Sequence, residues 1–397
     1  MLGSVRMFSD RTNWKLTRNS LTETLEEVRC GKAHVLDLTI SNPTRAGLHY
    51  DESSILQSLA SPRALDYDPQ PKGLPVARSA VAGYYQTVHG ISNFDSERLI
   101  LTTSTSEGYS FVFRLVCNPG DELLVPKPSY PLFEFLADLE DVKLVPYPLI
   151  YDHGWQMDFP SLEQAVTKRT RGVVVVHPNN PTGSYVHANE WERLNRFCHE
   201  HGLGVIADEV FLDYAHDGSP QRSFAANEDI LTFTLSGLSK ISALPQMKVA
   251  WIATSGPKAE VEAAQARLEV IADTYLSMNA PVQWATPALF DQRLSIQRQL
   301  IDRVLANLAE LDRQIASQQT CQRLRVEGGW YAVLRVPVTQ TDEELAVNLL
   351  RRKSVLGHPG HFYDFPSDGY LVLSLIAPED EFAEGIRRVL ELLINDF

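Results

Sequence analysis

Five short strings in this sequence carry side chains suited to gripping a flat, anionic carbonyl compound, and each follows a short apolar run. From Thr232 to Leu235 a β-rich segment leads into Leu238-Ser-Lys240; a loop closed by Pro245 and a second apolar run, Val249 to Ala253, follow. A lysine held at a strand end can form a Schiff base with a carbonyl if its amine is partly desolvated and neutral. Ala207 leads into Asp208-Glu-Val-Phe211. A carboxylate at the end of a buried strand is costly unless it meets a cation. A protonated pyridine nitrogen is such a cation, and the charge-assisted bond keeps it protonated so that the ring can draw electrons from a carbanion. Val176 leads into His177-Pro-Asn-Asn180-Pro-Thr-Gly183, where Asn-Pro forces a turn and the Asn180 amide can donate to a phenolate-type oxygen. Leu101 leads into Thr102-Thr103-Ser104-Thr105-Ser106-Glu107 and then a helix from about Gly108 to Val116. Free N–H groups and hydroxyls at such a helix start form an anion cradle. Val125 leads into Pro126-Lys-Pro-Ser-Tyr130-Pro131, and Tyr130 can stack on a flat ring.

Singly, each string has an ordinary structural use: an exposed loop lysine, a helix N-cap, an Asx-turn, Ser/Thr capping, a core or interface tyrosine. Together they supply a Schiff-base lysine, a ring-nitrogen carboxylate, an amide for the ring hydroxyl, a phosphate cradle and a stacking aromatic. That set matches pyridoxal 5′-phosphate.

The elements that must position these residues follow from the apolar runs. Leu99–Leu101, Leu123–Val125, Val173–Val176, Gly204–Ala207, Thr232–Leu235 and Val249–Ala253 are short and do not alternate. Such runs suit strands buried on both faces, so the fold class is α/β, a mainly parallel sheet sandwiched by helices. In such sheets ligands bind at the carboxyl ends of the strands. Before the runs, residues 1 to 19 read as an arm without a core. A helix opens at a capping box, Ser20-Leu-Thr-Glu23; a strand spans Val35 to Ile40, and a helix runs from about Val76 to Val88. Ser161-Leu-Glu-Gln164 and Asn189-Glu-Trp-Glu192 also read as capping boxes. Further on, Gln283 to about Ser317 reads as one long helix striped by Leu300, Val304, Leu308, Leu311 and Ile315. Strands near Tyr331–Val336 and Tyr370–Leu375, and helices from Thr341 and near Pro378, complete a smaller α+β unit. The expected division is 1–44 (arm and helix), 45–282 (large domain) and 283–397 (small C-terminal domain).

Composition bounds the function. The chain has 397 residues, 44% hydrophobic and 22% charged, as in an ordinary globular enzyme. A net charge of −14 without a basic block argues against nucleic acid or an anionic membrane. Cys30, Cys117, Cys198 and Cys321 form no CxxC pair, which argues against a zinc site and a disulfide framework. His358-Pro-Gly-His361 has no carboxylate at a ligand spacing. No signal-peptide core and no apolar run of membrane-spanning length is present. The expectation is a cytoplasmic protein with reduced thiols.

His177-Pro-Asn-Asn-Pro-Thr-Gly183, Asp208-Glu-Val210, Leu238-Ser-Lys240 and Asn118-Pro-Gly-Asp-Glu-Leu-Leu-Val-Pro126, in this order, resemble the class I/II aminotransferases, the fold-type-I pyridoxal phosphate enzymes. The resemblance runs from about Val35 to the C-terminus. It implies Lys240 as the Schiff-base lysine and proton shuttle, Asp208 against the pyridinium, Asn180 on the ring hydroxyl and Tyr130 stacked on the ring. Thr103, Ser104 and Thr105 would hold the phosphate. Tyr67 matches a tyrosine that the family sends into the partner subunit's phosphate site, which implies a homodimer. Three positions depart from the family pattern: Phe211 replaces a tyrosine on the ring oxygen, Lys248 an arginine on the phosphate, and Val372 the arginine that clamps the substrate carboxylate. Arg45, in the loop after the first strand, is the candidate replacement clamp. The implied activity is amino-group transfer between an amino acid and a 2-oxo acid. A pyridoxal phosphate lyase, decarboxylase or oxidase is the alternative, and a non-catalytic sensor domain a more distant one, since no basic DNA-binding segment is present.

Overall fold

The computed structural model describes residues 7–32, 34–131 and 133–395. The apolar runs form one eight-stranded sheet. Its order is Leu99–Thr102, Ala250–Ser255, Thr232–Gly237, Gly204–Asp208, Thr170–Val176, Glu122–Lys127, Lys143–Tyr151 and Trp155–Met157. The five strands from Thr232–Gly237 to Lys143–Tyr151 pair parallel. Leu99–Thr102 and Thr232–Gly237 both pair antiparallel to Ala250–Ser255, so they point the same way. The carboxyl ends of all the site-bearing strands therefore meet at one edge. Val173, Val174, Val205, Phe233 and Ile252 are wholly buried between helical layers, which is why these runs show no alternation.

A four-stranded antiparallel sheet, in the order Gln322–Arg323, Tyr331–Arg335, Tyr370–Ser374 and His358–Pro359, forms the second unit. The helices Arg293–Ile315, Asp342–Lys353 and Glu379–Asn395 pack with it. Leu300, Val304 and Leu311 of the expected stripe are fully buried in its core, and Leu308 and Ile315 pack against that core.

Several local expectations change. The helix expected over 283–317 is two helices, Ala280–Asp291 and Arg293–Ile315, and the first packs on the helix Pro75–Val88. Gln292 at the break keeps helical dihedrals, so the apolar periodicity passes across it unmarked. The strand expected over 35–40 is only Leu36–Asp37, paired with Val355–Leu356. The Asp37 carboxylate accepts the Thr39 N–H at 2.9 Å and so ends it in a turn. The first helix is capped by Asn19, not Ser20, through the Thr22 N–H at 2.8 Å. Asp158 caps the helix near 161, and His187 with Glu190 makes the capping box expected at 189. The helix expected from Thr341 starts there, and Thr341 with Glu344 makes a capping box. The strands Lys143–Tyr151 and Trp155–Met157 went unread because Pro146 and Pro148 interrupt the pattern. They are accommodated because Lys143–Tyr151 is paired on its outer side only from Leu149 onward. Of the expected arm, residues 1–6 lie outside the described residues; Trp14 donates to Asp138 at 2.8 Å and meets the Phe135 ring edge-on.

Candidate active site

Asp208, Lys240 and Asn180 lie at or just past the ends of their strands. Asp208 closes Gly204–Asp208 and is 8% exposed. Its Oδ2 accepts the Tyr109 hydroxyl at 3.0 Å and its Oδ1 the Val210 N–H at 3.1 Å. Burial pushes its carboxyl up to about 6, against the opposing pull of those donors and of the Lys240 charge. Lys240 lies just past the adjoining strand, in a short helix, Leu238–Ile241, rather than the turn expected there. Its Nζ donates to the Ser41 carbonyl at 3.3 Å. It lies 4.6 Å from the Trp330 ring centre and 5.2 Å from that of Phe211. Burial pulls the ammonium down to about 8, with the charge of Asp208 opposing. An amine so placed is partly neutral near physiological pH, as a nucleophile and proton carrier requires.

Asn180 is buried, and its Oδ1 has no partner. The turn that carries it is fixed from below: Asn179 Oδ1 accepts the Thr182 hydroxyl at 2.9 Å, and the Gly183 N–H reaches the Asn179 carbonyl at 2.7 Å. Gly183 has φ +67°, and a Cβ there would lie 2.4 Å from the Gly328 carbonyl. Only glycine admits this approach, through which the Gly183 carbonyl receives the N–H groups of Glu327 and Gly328. That contact brings in Trp330, which the sequence did not single out. Tyr109 and Trp330 carry no local motif; each reaches the site only through tertiary packing.

The residues expected to cradle an anion lie at a helix start, and their bonds differ from those expected. Ser104 caps the helix Thr105–Val116 by accepting the Glu107 N–H at 3.2 Å. The N–H and hydroxyl of Thr103 both go to Glu107 Oε2, at 2.7 and 3.1 Å, and Ser277 donates to the same oxygen at 2.9 Å. The N–H groups of Thr105 and Ser106 are left without an acceptor among the described residues. Glu107 has a readable signal, the Ser-x-x-Glu spacing of a capping box, although its carboxylate takes the Thr103 N–H rather than that of Ser104; Ser277 has none.

The other candidates are placed variously. Tyr130 is 41% exposed and meets Phe133 edge-on. Lys248 is exposed with φ +55°, just before Ala250–Ser255 and so at the same sheet edge. Phe211 is buried under the Lys240 amine. Val372 is buried in the small-unit core. Arg45 is exposed and, among the described residues, its side chain has no hydrogen-bonding or ionic partner; its loop begins at Ser41, the residue whose carbonyl meets Lys240. Tyr67 is 86% exposed and lines a cavity of about 440 Å³ with Arg63, Trp284 and Ser277.

Residues 33–380 match the model of a family described as aminotransferase class I and II. The chain belongs to the class I and II aminotransferases. It is similar to an alanine aminotransferase of Mycobacterium tuberculosis, 28% identical over 375 residues that cover 91% of this chain and 86% of that one. It is also similar to a glutamate–pyruvate aminotransferase of Escherichia coli K12, 31% identical over 253 residues, 63% of this chain and 62% of that one. The fold matches the solved alanine aminotransferase of Pyrococcus furiosus at a TM-score of 0.89 and 20% identity, over 98% of this chain and 100% of that one. The chain is thus a fold-type-I aminotransferase, of a family that works with pyridoxal phosphate. The residues present suit that group: a buried carboxylate short of a cation, a buried Asn180 amide whose side chain makes no hydrogen bond among the described residues and can donate through its NH2 group, and open N–H donors at a helix start.

Proposed function

We propose that this aminotransferase holds pyridoxal 5′-phosphate between Asp208 and Asn180 and moves an amino group between an amino acid and a 2-oxo acid through Lys240. The observation that carries the reading is the juxtaposition of the Lys240 amine and the Asp208 carboxylate at the ends of adjoining parallel strands. When bound, the cofactor supplies a ring that stabilises negative charge at the substrate Cα. Asp208 would keep the proton on the ring nitrogen, and Asn180 would donate to the ring oxygen. The open N–H groups and hydroxyls of Thr105 and Ser106 would take the phosphate, with Ser104 and Thr103 shaping the cradle and Lys248 adding charge. Tyr130 would cover the ring. Lys240 moves the proton at the substrate Cα, and the Phe211 and Trp330 rings shield its amine from water.

Alanine, or glutamate with pyruvate, is the first substrate pair to test, because the relatives carry those names. Arg45 is the proposed carboxylate anchor, supported by its loop's contact with Lys240. Arg45→Ala should weaken carboxylate substrates by roughly 2 kcal/mol or more and leave the holoenzyme's visible absorbance untouched; unchanged affinity would remove Arg45 from the site. A homodimer is proposed, supported by the exposure of Tyr67 and Leu65 beside a cavity next to the cradle. We further propose the division 1–44, 45–282 and 283–397 as domains and a cytoplasmic site of action, the latter consistent with four unpaired cysteines. The test of function is a screen of the holoenzyme with single amino acids. Loss of the visible band with release of the matching 2-oxo acid is expected. Release of carbon dioxide or ammonia instead would favour a decarboxylase or lyase.

A further inference from the structure

The helix that carries Lys240 has only four residues, and of its end carbonyls that of Lys240 receives the Ala243 N–H at 3.2 Å from its own segment. Three side chains from three separate elements bond the carbonyls at and just past the helix end. The Tyr214 hydroxyl donates to the Lys240 carbonyl at 2.6 Å, Gln297 Nε2 to the Ile241 carbonyl at 3.0 Å, and the Tyr50 hydroxyl to the Ala243 carbonyl at 2.9 Å. Gln297 does more. Its Oε1 accepts from Arg293 at 3.3 Å, which orients the amide, and its Nε2 also donates to Asp213 Oδ2 at 2.6 Å. Asp213 is itself fixed: its Oδ1 accepts the Tyr84 hydroxyl at 2.8 Å and lies 3.3 Å from His89 Nε2. The Asp213 and His89 side chains are each 4% exposed. A buried carboxylate with this many donors is a rigid anchor. Gln297 stands on Arg293–Ile315, the helix that packs into the small unit, so the network ties that helix to the backbone of the lysine.

We propose that Gln297, held by Asp213, is a positioning residue that sets where the Lys240 amine points. Neither residue touches the amine; they act through the carbonyls that end its helix. The inference rests on the reading of Lys240 as the reacting amine, and the test separates the two.

The cofactor-free full-length protein is mixed with pyridoxal phosphate, reduced with borohydride at timed intervals, and the adduct is mapped and counted by mass spectrometry. An adduct on another lysine in the parent protein refutes the reading of Lys240 itself. With Lys240 labelled in the parent, Gln297→Met keeps the volume and removes both donors. It should slow labelling of Lys240 about tenfold, since small displacements of a reacting group are costly, and shift the pH midpoint of labelling. Tyr214→Phe removes one carbonyl partner without touching Asp213 and should slow labelling in the same direction. Gln299→Met is the control: this neighbour on the same helix bonds only to the His49 backbone and its own helix, and it should label at the parent rate. Parent-like rate and pH midpoint in a cooperatively unfolding Gln297→Met protein would overturn the proposal. If that variant does not fold, Tyr214→Phe decides on the same two readouts. Equal slowing in Gln299→Met would show a general helix effect and also overturn it.

Discussion

Two buried aspartates follow one strand and face opposite circumstances. Asp213 accepts from Tyr84 and Gln297 and lies against His89; burial pushes its carboxyl up, but these partners outweigh that and hold it below its ordinary value. Asp208 has one hydroxyl and one backbone N–H, and burial pushes it up to about 6. The nearby Asn180 oxygen has no partner among the described residues. One buried carboxylate is fully satisfied and the other is left short, and the proposed function assigns the second to a ligand. On that proposal the satisfied region supports stability, and the unsatisfied region would cost stability until the cofactor is bound.

The largest expected effect tests the unsatisfied side. Lys240→Ala should lower turnover by at least about 10⁴-fold, measured by oxo-acid release from the holoenzyme. Residual turnover within about tenfold of the parent would mean another base does the work.

The supporting side should then fail differently. Asp213→Ala leaves His89, Tyr84 and Gln297 facing an empty position and should cost about 3–5 kcal/mol of stability, read by denaturant unfolding of the cofactor-free protein. Its pH signature follows from the lowered native value. The stabilisation is present above the ordinary carboxylate range and is lost as pH falls through the depressed native value.

Asp208→Asn should give the opposite pattern. The native carboxyl holds its proton more tightly than the unfolded chain, so its contribution to stability falls as pH rises from 3.8 to about 6. At pH values above that window, the cofactor-free variant should therefore melt no lower than the parent. The holoenzyme variant should melt lower than its parent and lose about 10²-fold or more in turnover. A drop in the cofactor-free melting temperature as large as that for Asp213→Ala would erase the contrast between the two sites.

Two finer effects follow. Acylation of Lys240 in the cofactor-free protein should have a pH midpoint near 8 rather than 10.5, and Asp208→Asn should move it lower still, because the carboxylate's charge favours the ammonium. Phe211→Tyr adds a hydroxyl beside the amine and should shift the holoenzyme's spectral pH midpoint down by a fraction of a unit. Tyr214 does not already supply that hydroxyl to the cofactor, because it is committed to the Lys240 carbonyl.

Much of this contrast was legible in the sequence, and the part that was not has physical reasons. Strands buried on both faces announce themselves as unbroken apolar runs, and polar residues just past them mark the binding edge, so Asp208, Asn180 and Lys240 stood out. The helix caps were misplaced by a few residues because Ser, Asp and Asn crowd the same starts, and only tertiary geometry chooses Asn19 or Asp158. The Ser/Thr-rich helix start is visible in the sequence but its wiring is not: Glu107 captures Thr103, and the N–H groups left open are those of Thr105 and Ser106. Tyr84, His89, Asp213 and Gln297 could not be read at all. They are scattered along the chain, and none lies in a motif; only the fold brings them to one carboxylate.

The central claim is that the Lys240 amine is the one that reacts. Reduction of the holoenzyme with borohydride, followed by peptide mapping, tests it most directly. The adduct should lie on the peptide that contains Leu238-Ser-Lys240, with a stoichiometry near one per chain, and should be absent from Lys240→Ala. An adduct on Lys248 or any other lysine, with Lys240 unmodified, would contradict the account.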